Sequence, residues 1–315
     1  MHIDNAGAQV VKNVDDDYPT KAVRLVVPFT PGGANDITAR LIATELGQTL
    51  GRQFVIDNRG GAGGSIGAEL VAKAVPDGYT LMASNPGPSV NNPIMRRRPS
   101  YRVEDFAQVA IYGYTPLIIA VHPSFGPRNA RELVDYLKRN PEKLSWGSTG
   151  TGGIAHIALA LFQAATGTDV IHVPYKGAGP GLNELAGGSI QLFYTTLASA
   201  DTLIKAGRIR IIGIAAPKRL SGLPDVPTLS EYGVTNADVI VWYGLAAPAK
   251  TMPPIIEKLN REVNRIMKMP DIGARFGQLG IEVFGGSSLE AEEFVRNEAA
   301  RLRRLMKTGL ISPLD

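Results

Sequence analysis

The apolar positions of this chain keep changing period, and each change falls on glycine or proline. Arg24 to Phe29 is a β-branched apolar run of strand length, and Thr30, Pro31, Gly32 and Gly33 break it with residues that fix φ or permit φ > 0. Ile37, Leu41, Ile42 and Leu46 then recur at helical spacing, with Asn35 or Asp36 placed to cap them. Gln53 to Asp57 predicts a second strand. After the glycine-rich Asn58 to Gly64, Ser65 starts a helix whose face Ile66, Leu70, Val71 and Ala74 ends at the turn Pro76-Asp77-Gly78. Thr80 to Ser84 is a third strand, running into a polar loop from Asn85 to Asn92. Strands and helices alternate, so the predicted core is a parallel sheet covered by helices on both faces.

The same unit returns later in the chain. Gln108 to His122 predicts two further strands, Arg128 to Arg139 a helix, and Leu144 to Gly147 a strand. Ser148 to Gly153, STGTGG, is a second glycine turn, and Ile154, Ile157, Leu161 and Ala165 then lie on one helical face. Strands follow at Val170 to Pro174, Ile190 to Thr195 and Arg208 to Ala215, with a short helix at Leu182 to Ala186. Beyond a proline-rich passage, Val239 to Ala247 predicts a strand returning from a second lobe. Pro254 to Met267 is helical, and Ser287-Ser288-Leu289-Glu290 forms a capping box that opens the final helix, to Lys307. The predicted fold is therefore α/β with two domains. Residues 18–121 with 246–315 form the first and 122–245 the second, joined by two crossings that act as a hinge. Residues 1–17 read as a leader or tag-like extension, lacking the basic start and apolar centre of a signal peptide.

Composition removes several function classes. The 315 residues, 44% hydrophobic and 20% charged, suit a globular chain with a large core. The net charge of +4 is spread along the sequence, which gives no clustered basic footprint for nucleic acid; Arg96 to Arg98 sit between turn residues as a solvated loop. With no cysteine there is no thiol catalysis, no Cys-ligated zinc and no disulfide. No stretch approaches the roughly 20 apolar residues of a membrane span. Neither a G-K-[ST] phosphate loop nor an H-E-x-x-H helix is present, and no cofactor or metal is expected.

What remains is the pair of glycine turns. Each opens a helix, and a helix start presents unpaired N–H groups at the positive end of its dipole, a seat for an anion. Two such turns on facing lobes suit one small anionic ligand. Thr30, Ser84, Asn85, Ser148, Thr149, Thr151, Thr195 and Thr196 fall at the carboxyl ends of predicted strands, where open α/β sheets bind ligands. Taken singly, each hydroxyl would be a local turn bond. The alternative is an α/β hydrolase using Ser65, since Gly63-Gly64-Ser65-Ile66-Gly67 matches G-x-S-x-G. Such an elbow needs a strand directly before the serine, and here a glycine loop intervenes.

The chain resembles the Bug family, the TctC-like periplasmic solute-binding proteins of tripartite tricarboxylate transporters. The resemblance runs from Tyr18 nearly to the end. Carrying it are YPTKAVRLVVPFTPGGANDITAR at 18–40, LGRQFVIDNRGGAGGSIGAELVAKAVPDGYTL at 50–81, GSTGTGGIAH at 147–156, VIHVPYKGAGPGLNELAGGSIQLFY at 170–194 and WYGLAAPAKTMPPIIEKLN at 242–260. It implies a non-catalytic, monomeric periplasmic protein with a type II binding-protein fold, closing on a carboxylated solute and delivering it to membrane permease subunits. It implies that Phe29, Thr30, Gly33, Ala34 and Asp36 grip the carboxylate from one domain and Ser148, Thr149, Gly150, Thr151 and Gly152 from the other. Ser84, Asn85, His156, Tyr175, Tyr194 and Thr195 match positions around the rest of the pocket. Asp36 would repel a bare carboxylate and is expected to orient backbone or water. Family members often carry an acid where this chain has Thr195-Thr196, which argues against an amino-acid ligand; dicarboxylates, tricarboxylates and aromatic acids stay open.

Overall fold

In the computed structural model, residues 17–315 are described; all but the last residue of the leader segment at 1–17 lies outside them. The first α/β half is built as its periodicity predicts. Strand β1 (Val23–Val27) is buried along most of its length and pairs in parallel with β2 (Phe54–Asn58) on one side and β3 (Thr80–Ser84) on the other. Helix α1 (Ala34–Leu50) crosses from β1 to β2, burying Ala39, Ile42, Ala43 and Leu46. Helix α2 (Ser65–Ala72) crosses from β2 to β3. The segment expected as a polar loop after β3 is a buried π-helical turn, Gly87–Asn91, continued by the short helix α3 (Asn92–Met95). Asn92 Nδ2 donates to both the Gly63 and Gly87 carbonyls, so a polar side chain supplies the bonds that make this buried turn stable.

The segment expected to hold two strands is one strand, β4 (Phe106–Val121), 16 residues long. Its first part, Phe106 to Pro116, pairs antiparallel with β9 (Ile240–Pro248), which in turn pairs with β3. From Leu117 to Val121 its partners are instead β7 (Leu192–Thr195) and β8 (Arg210–Ala215). Pro116 stands where one set of partners gives way to the next. There its missing N–H costs the ladder little. The second half also contains β5 (Ser145–Ser148), parallel to β6 (Ile171–Pro174) and β7. The strand order is β2-β1-β3-β9-β4-β7-β5-β6, with β8 and the two-residue β10 (Glu282–Val283) also on β4. This is the expected two-lobed α/β architecture, with β4 and β9 as the crossings.

Helices α4 (Ala130–Arg139), α5 (Ile154–Thr166), α6 (Ala178–Ala186) and α7 (Leu197–Lys205) cover the second half; α8 (Pro253–Met267), α9 (Pro270–Gln278) and α10 (Ser288–Lys307) return to the first. The capping box that opens α10 forms as the sequence predicts: Ser287 Oγ accepts the Glu290 N–H, and Glu290 Oε2 accepts the Ser287 N–H. Helices α7 and α9 were not predicted. In the core of the second half, Trp146 is fully buried, its ring 4.9 Å from that of Tyr194 and 5.0 Å from that of Phe162.

Candidate functional site

Four helices begin at one place. Helix α1 is preceded by Gly33, α5 by Gly153 and α6 by Gly177, none with a side chain to bond the first-turn amides, while Thr196 caps α7. Gly33, Ala34 and Asn35 of the α1 start line one cavity with Ile154 and Ala155 of α5, Ala178 of α6, and Thr196 and Ser199 of α7. The remaining walls are Phe29, Asn85, Leu117, Thr149, Tyr194, Thr195, Val241 and Tyr243, around a volume of about 50 Å³. Aspartate, glutamate, histidine, lysine and arginine are all missing from this lining. What this lining offers an anion is therefore backbone amides, helix dipoles and hydroxyls.

The two lobes touch around this cavity. The Ala34 N–H donates to Ser199 Oγ at 2.8 Å, and Ser199 lies 3.1 Å from the Thr196 hydroxyl. The Thr30 N–H reaches the Lys176 carbonyl at 3.4 Å. Gly63 faces the turn of Gly150 to Gly153 so closely that a Cβ on it would overlap the Thr151 carbonyl oxygen and stand 2.9 Å from Asn92 Nδ2.

Of the expected ligand residues, Phe29, Gly33, Ala34, Asn85, Thr149, Tyr194 and Thr195 line the cavity. The others stand behind or beside it. Ser84 is fully buried, with its hydroxyl 3.5 Å from Gln108 Oε1. Gly150 and Thr151 pack on Gly63, and Gly152 on Asn92. Tyr175 lies against Phe193, ring centres 6.1 Å apart. Asp36, 3% exposed, accepts from the Gly32 N–H (3.0 Å), Arg40 Nε (3.0 Å) and Asn58 Nδ2 (2.9 Å), the turn-orienting role expected of it. Burial raises its pKa, but these hydrogen bonds and the Arg40 charge outweigh burial and hold the carboxyl below the usual range.

Asn35, Leu117, Ile154, Ala155, Ala178, Ser199, Val241 and Tyr243 line the cavity without having been expected to. Ser199 was readable: Thr196 followed by Leu197, Ala200, Leu203 and Ile204 is an N-cap with a helical apolar face. Leu117, Val241 and Tyr243 carry no local signal, because their place depends on which face of the crossing strands meets the cleft. Ser65 is no nucleophile elbow in this fold. Residues 59–64 separate it from β2, and its buried hydroxyl bonds no histidine.

Ser148 and His156 support the second glycine turn from below. The Gly150 N–H donates to Ser148 Oγ (3.1 Å), which lies 2.7 Å from His172 Nε2, and the Gly152 N–H donates to His156 Nδ1 (3.2 Å). The two imidazoles stack 4.4 Å apart. His156 must be neutral to accept its bond at Nδ1, whereas His172 Nε2 can either donate to Ser148 Oγ or accept from it. Burial pushes His172 down to about 4, helped by the neighbouring His156, and burial also lowers His156. An unfolded histidine titrates near 6.5, so between about 6.5 and 4 the unfolded chain binds more protons than the folded one. Stability is full above pH 6.5 and falls with acidification through that window, by roughly 2–3 kcal/mol for His172. Urea midpoints of the wild type and His172→Asn across this range will check it: the variant should lose most of that slope.

The model of the tripartite tricarboxylate transporter family receptor, TctC, matches residues 38–310 of this sequence. The chain belongs to the TctC family. Its members are periplasmic solute-binding proteins and not enzymes. A UPF0065 protein from the tcbD-tcbE intergenic region of Pseudomonas sp. is 35% identical over 292 residues, 92% of this chain and 87% of that one. Among solved TctC-like structures, an R. palustris protein with adipate has a TM-score of 0.91 and 35% identity, covering 95% of this chain and 100% of its own. MatC of Rhodopseudomonas palustris, with bound malate, has a TM-score of 0.87 and 31% identity, covering 91% of this chain and 99% of its own. Among the described residues no helix is long and apolar enough to cross a membrane.

Proposed function

We propose that this TctC-family chain is a periplasmic receptor that captures a small carboxylic acid between its lobes by closing on it. It then delivers the acid to the membrane permease subunits of a tripartite tricarboxylate-type transporter, acting as a monomer without a cofactor. The observation that carries the reading is the convergence of four helix starts on a cavity with no basic side chain. A carboxylate placed there meets fixed amides and needs no counter-ion. The magnitudes suffice: a micromolar complex requires about 8 kcal/mol, and hydrogen bonds to a charged group contribute roughly 1.5–3 kcal/mol each. The adipate and malate of the two R. palustris proteins support a carboxylated ligand.

On this reading the bodies that move are residues 18–121 with 246–315 and residues 122–245. The change of strand partners at Pro116 and Leu117, a few residues before that boundary, supports a hinge on β4. Melting temperatures against di- and tricarboxylates, aromatic acids and amino acids test the function. One class of acid should raise the midpoint progressively with concentration, as RT ln(1 + [L]/Kd) requires, and be recovered intact. No shift with any acid, or conversion of the acid, would sink it.

A further inference from the structure

We propose that the groove between helix α3 and the C-terminal end of α10 is a docking surface for a second protein, reached by an acidic segment of that partner with one apolar side chain as its anchor. The inference goes beyond carboxylate capture and stands without it.

The groove has a volume of about 470 Å³. Its apolar lining is Pro93 and Ile94 of α3, Val103, and Met306 of α10; Pro93 is buried and the other three are half-buried. Arg102, Arg303 and Lys307 complete it as exposed side chains, with a single carboxylate, Glu104, among them. An apolar floor inside a polar rim is how protein interfaces are built. None of the three cations forms an ion pair with a described residue, whereas Arg301 on the same helix stands 3.7 Å from Glu298. A second groove, between α1 and β2, also holds two arginines, but Arg40 pairs with Asp36 and Arg52 donates to the Thr20 and Gly51 carbonyls. Its arginines already have partners, and the cations of the α10 groove do not.

This chemistry selects the partner. Exposed ion pairs add little affinity but choose and orient what binds, so affinity has to come from filling the floor. A leucine or phenylalanine side chain does that, and Met306, being unbranched, adapts to either. A bilayer surface does not: its anionic headgroups lie in a plane that meets the rim and leaves the floor in water. The groove also continues the contact between the lobes. A Cβ on Gly152 of the second lobe would lie 2.3 Å from Asn92 Oδ1, and Asn92 opens the helix whose next residues are Pro93 and Ile94. A partner seated in the groove therefore touches an element on which the two lobes meet.

The test is selection from a phage-displayed library of short random peptides on the immobilised protein, with the double variant Arg303→Glu, Lys307→Glu as counter-selection. Both residues are exposed and unpaired and neither lines the ligand cavity, so the variant should keep the wild-type melting temperature. Arg102→Glu is a second, independent variant on the same groove. Peptides held by the wild type and not by the variant should carry aspartate or glutamate on both sides of a leucine, isoleucine or phenylalanine. A synthetic peptide of that sequence should bind at least about tenfold more weakly to either variant, and about tenfold more weakly when its apolar residue is replaced by alanine. Its affinity for the wild type should fall severalfold between about 20 and about 200 mM salt. Selection that yields no peptide, the same peptides from both proteins, or peptides without acidic residues would overturn the inference. So would two other results of the charge reversal: loss of binding to vesicles of phosphatidylglycerol and phosphatidylcholine in equal parts, with no peptide selected, would assign the groove to a membrane surface, and dissolution of a dimer seen by sedimentation would assign it to a second copy of this chain.

Discussion

Gly63→Val will leave a folded protein that no longer holds its ligand. Gly63 is in the left-handed region, φ +63°, so any side chain there costs about 1–2 kcal/mol of stability from its own backbone. The larger effect lies across the cleft. A valine would push its Cβ into the Thr151 carbonyl and toward Asn92, and backbone pressed against backbone cannot yield as the tip of a flexible side chain can. The glycine turn before α5 would be held away from the α1 start, and a carboxylate could reach one set of amides or the other. A hundredfold or greater loss of affinity is expected, about 3 kcal/mol. Gly150→Ala meets the same contact from the other lobe, with its Cβ 2.8 Å from the Gly63 nitrogen. Gly51→Ala is the control: its φ of +68° is equally strained, but the space beside it is open, so it should lose stability and keep binding. If Gly63→Val binds the selected acid like the wild type, closure at this contact is not part of capture.

Asp36→Ala should destabilise the protein by roughly 2–3 kcal/mol, with most of the cost outside any ligand contact. Arg40 can turn to water once its partner is gone, since its side chain is half exposed. The Gly32 N–H and Asn58 Nδ2 lose the buried carboxylate that ties the turn to β2, although Asn58 Nδ2 keeps its bond to the Phe29 carbonyl. Asp36→Asn keeps one acceptor oxygen and should cost about half as much. The sign of the pH effect follows from a folded pKa lowered below the unfolded one. The contribution is present above about pH 4 and is lost as pH falls through the folded value. Chemical denaturation of wild type, Asp36→Asn and Asp36→Ala at neutral and acid pH reads all three statements. Equal stability of wild type and Asp36→Ala at pH 7 would refute the anchoring role.

Much of this site was legible because strand ends and glycine turns announce themselves locally. Gly32, Gly33, Gly152 and Gly153 end apolar runs and start helical ones, so both helix-opening glycine turns could be placed without a structure. Thr149 and Thr195 followed from lying at the carboxyl ends of strands, whereas Tyr194 came only from the family resemblance. What local pattern could not give was depth. Ser148 and His156 belong to the same motif as Thr149, yet they face away and brace the turn, a matter of which way each Cβ points after φ has gone positive at Gly150 and Gly152. Nor could it give the walls contributed by β4 and β9. Two strands are expected between Gln108 and His122, and only the change of partners at Pro116 and Leu117 explains why they form one continuous strand. Helix α9 was overlooked although Pro270, Asp271, Ile272 and Phe276 form a first-position proline, an acidic first turn and an i, i+4 apolar pair.

Strand β4 has a further consequence, for inheritance. Because one uninterrupted strand supplies the edge partner of β9 in one lobe and of β7 and β8 in the other, neither lobe owns all of its own sheet. A cut inside either part of β4 would open a ladder edge, and only one placed between Pro116 and Leu117 would leave both ladders whole. Exchange of lobes between such chains is therefore confined to one narrow junction, whereas side chains around the cleft can be replaced one at a time.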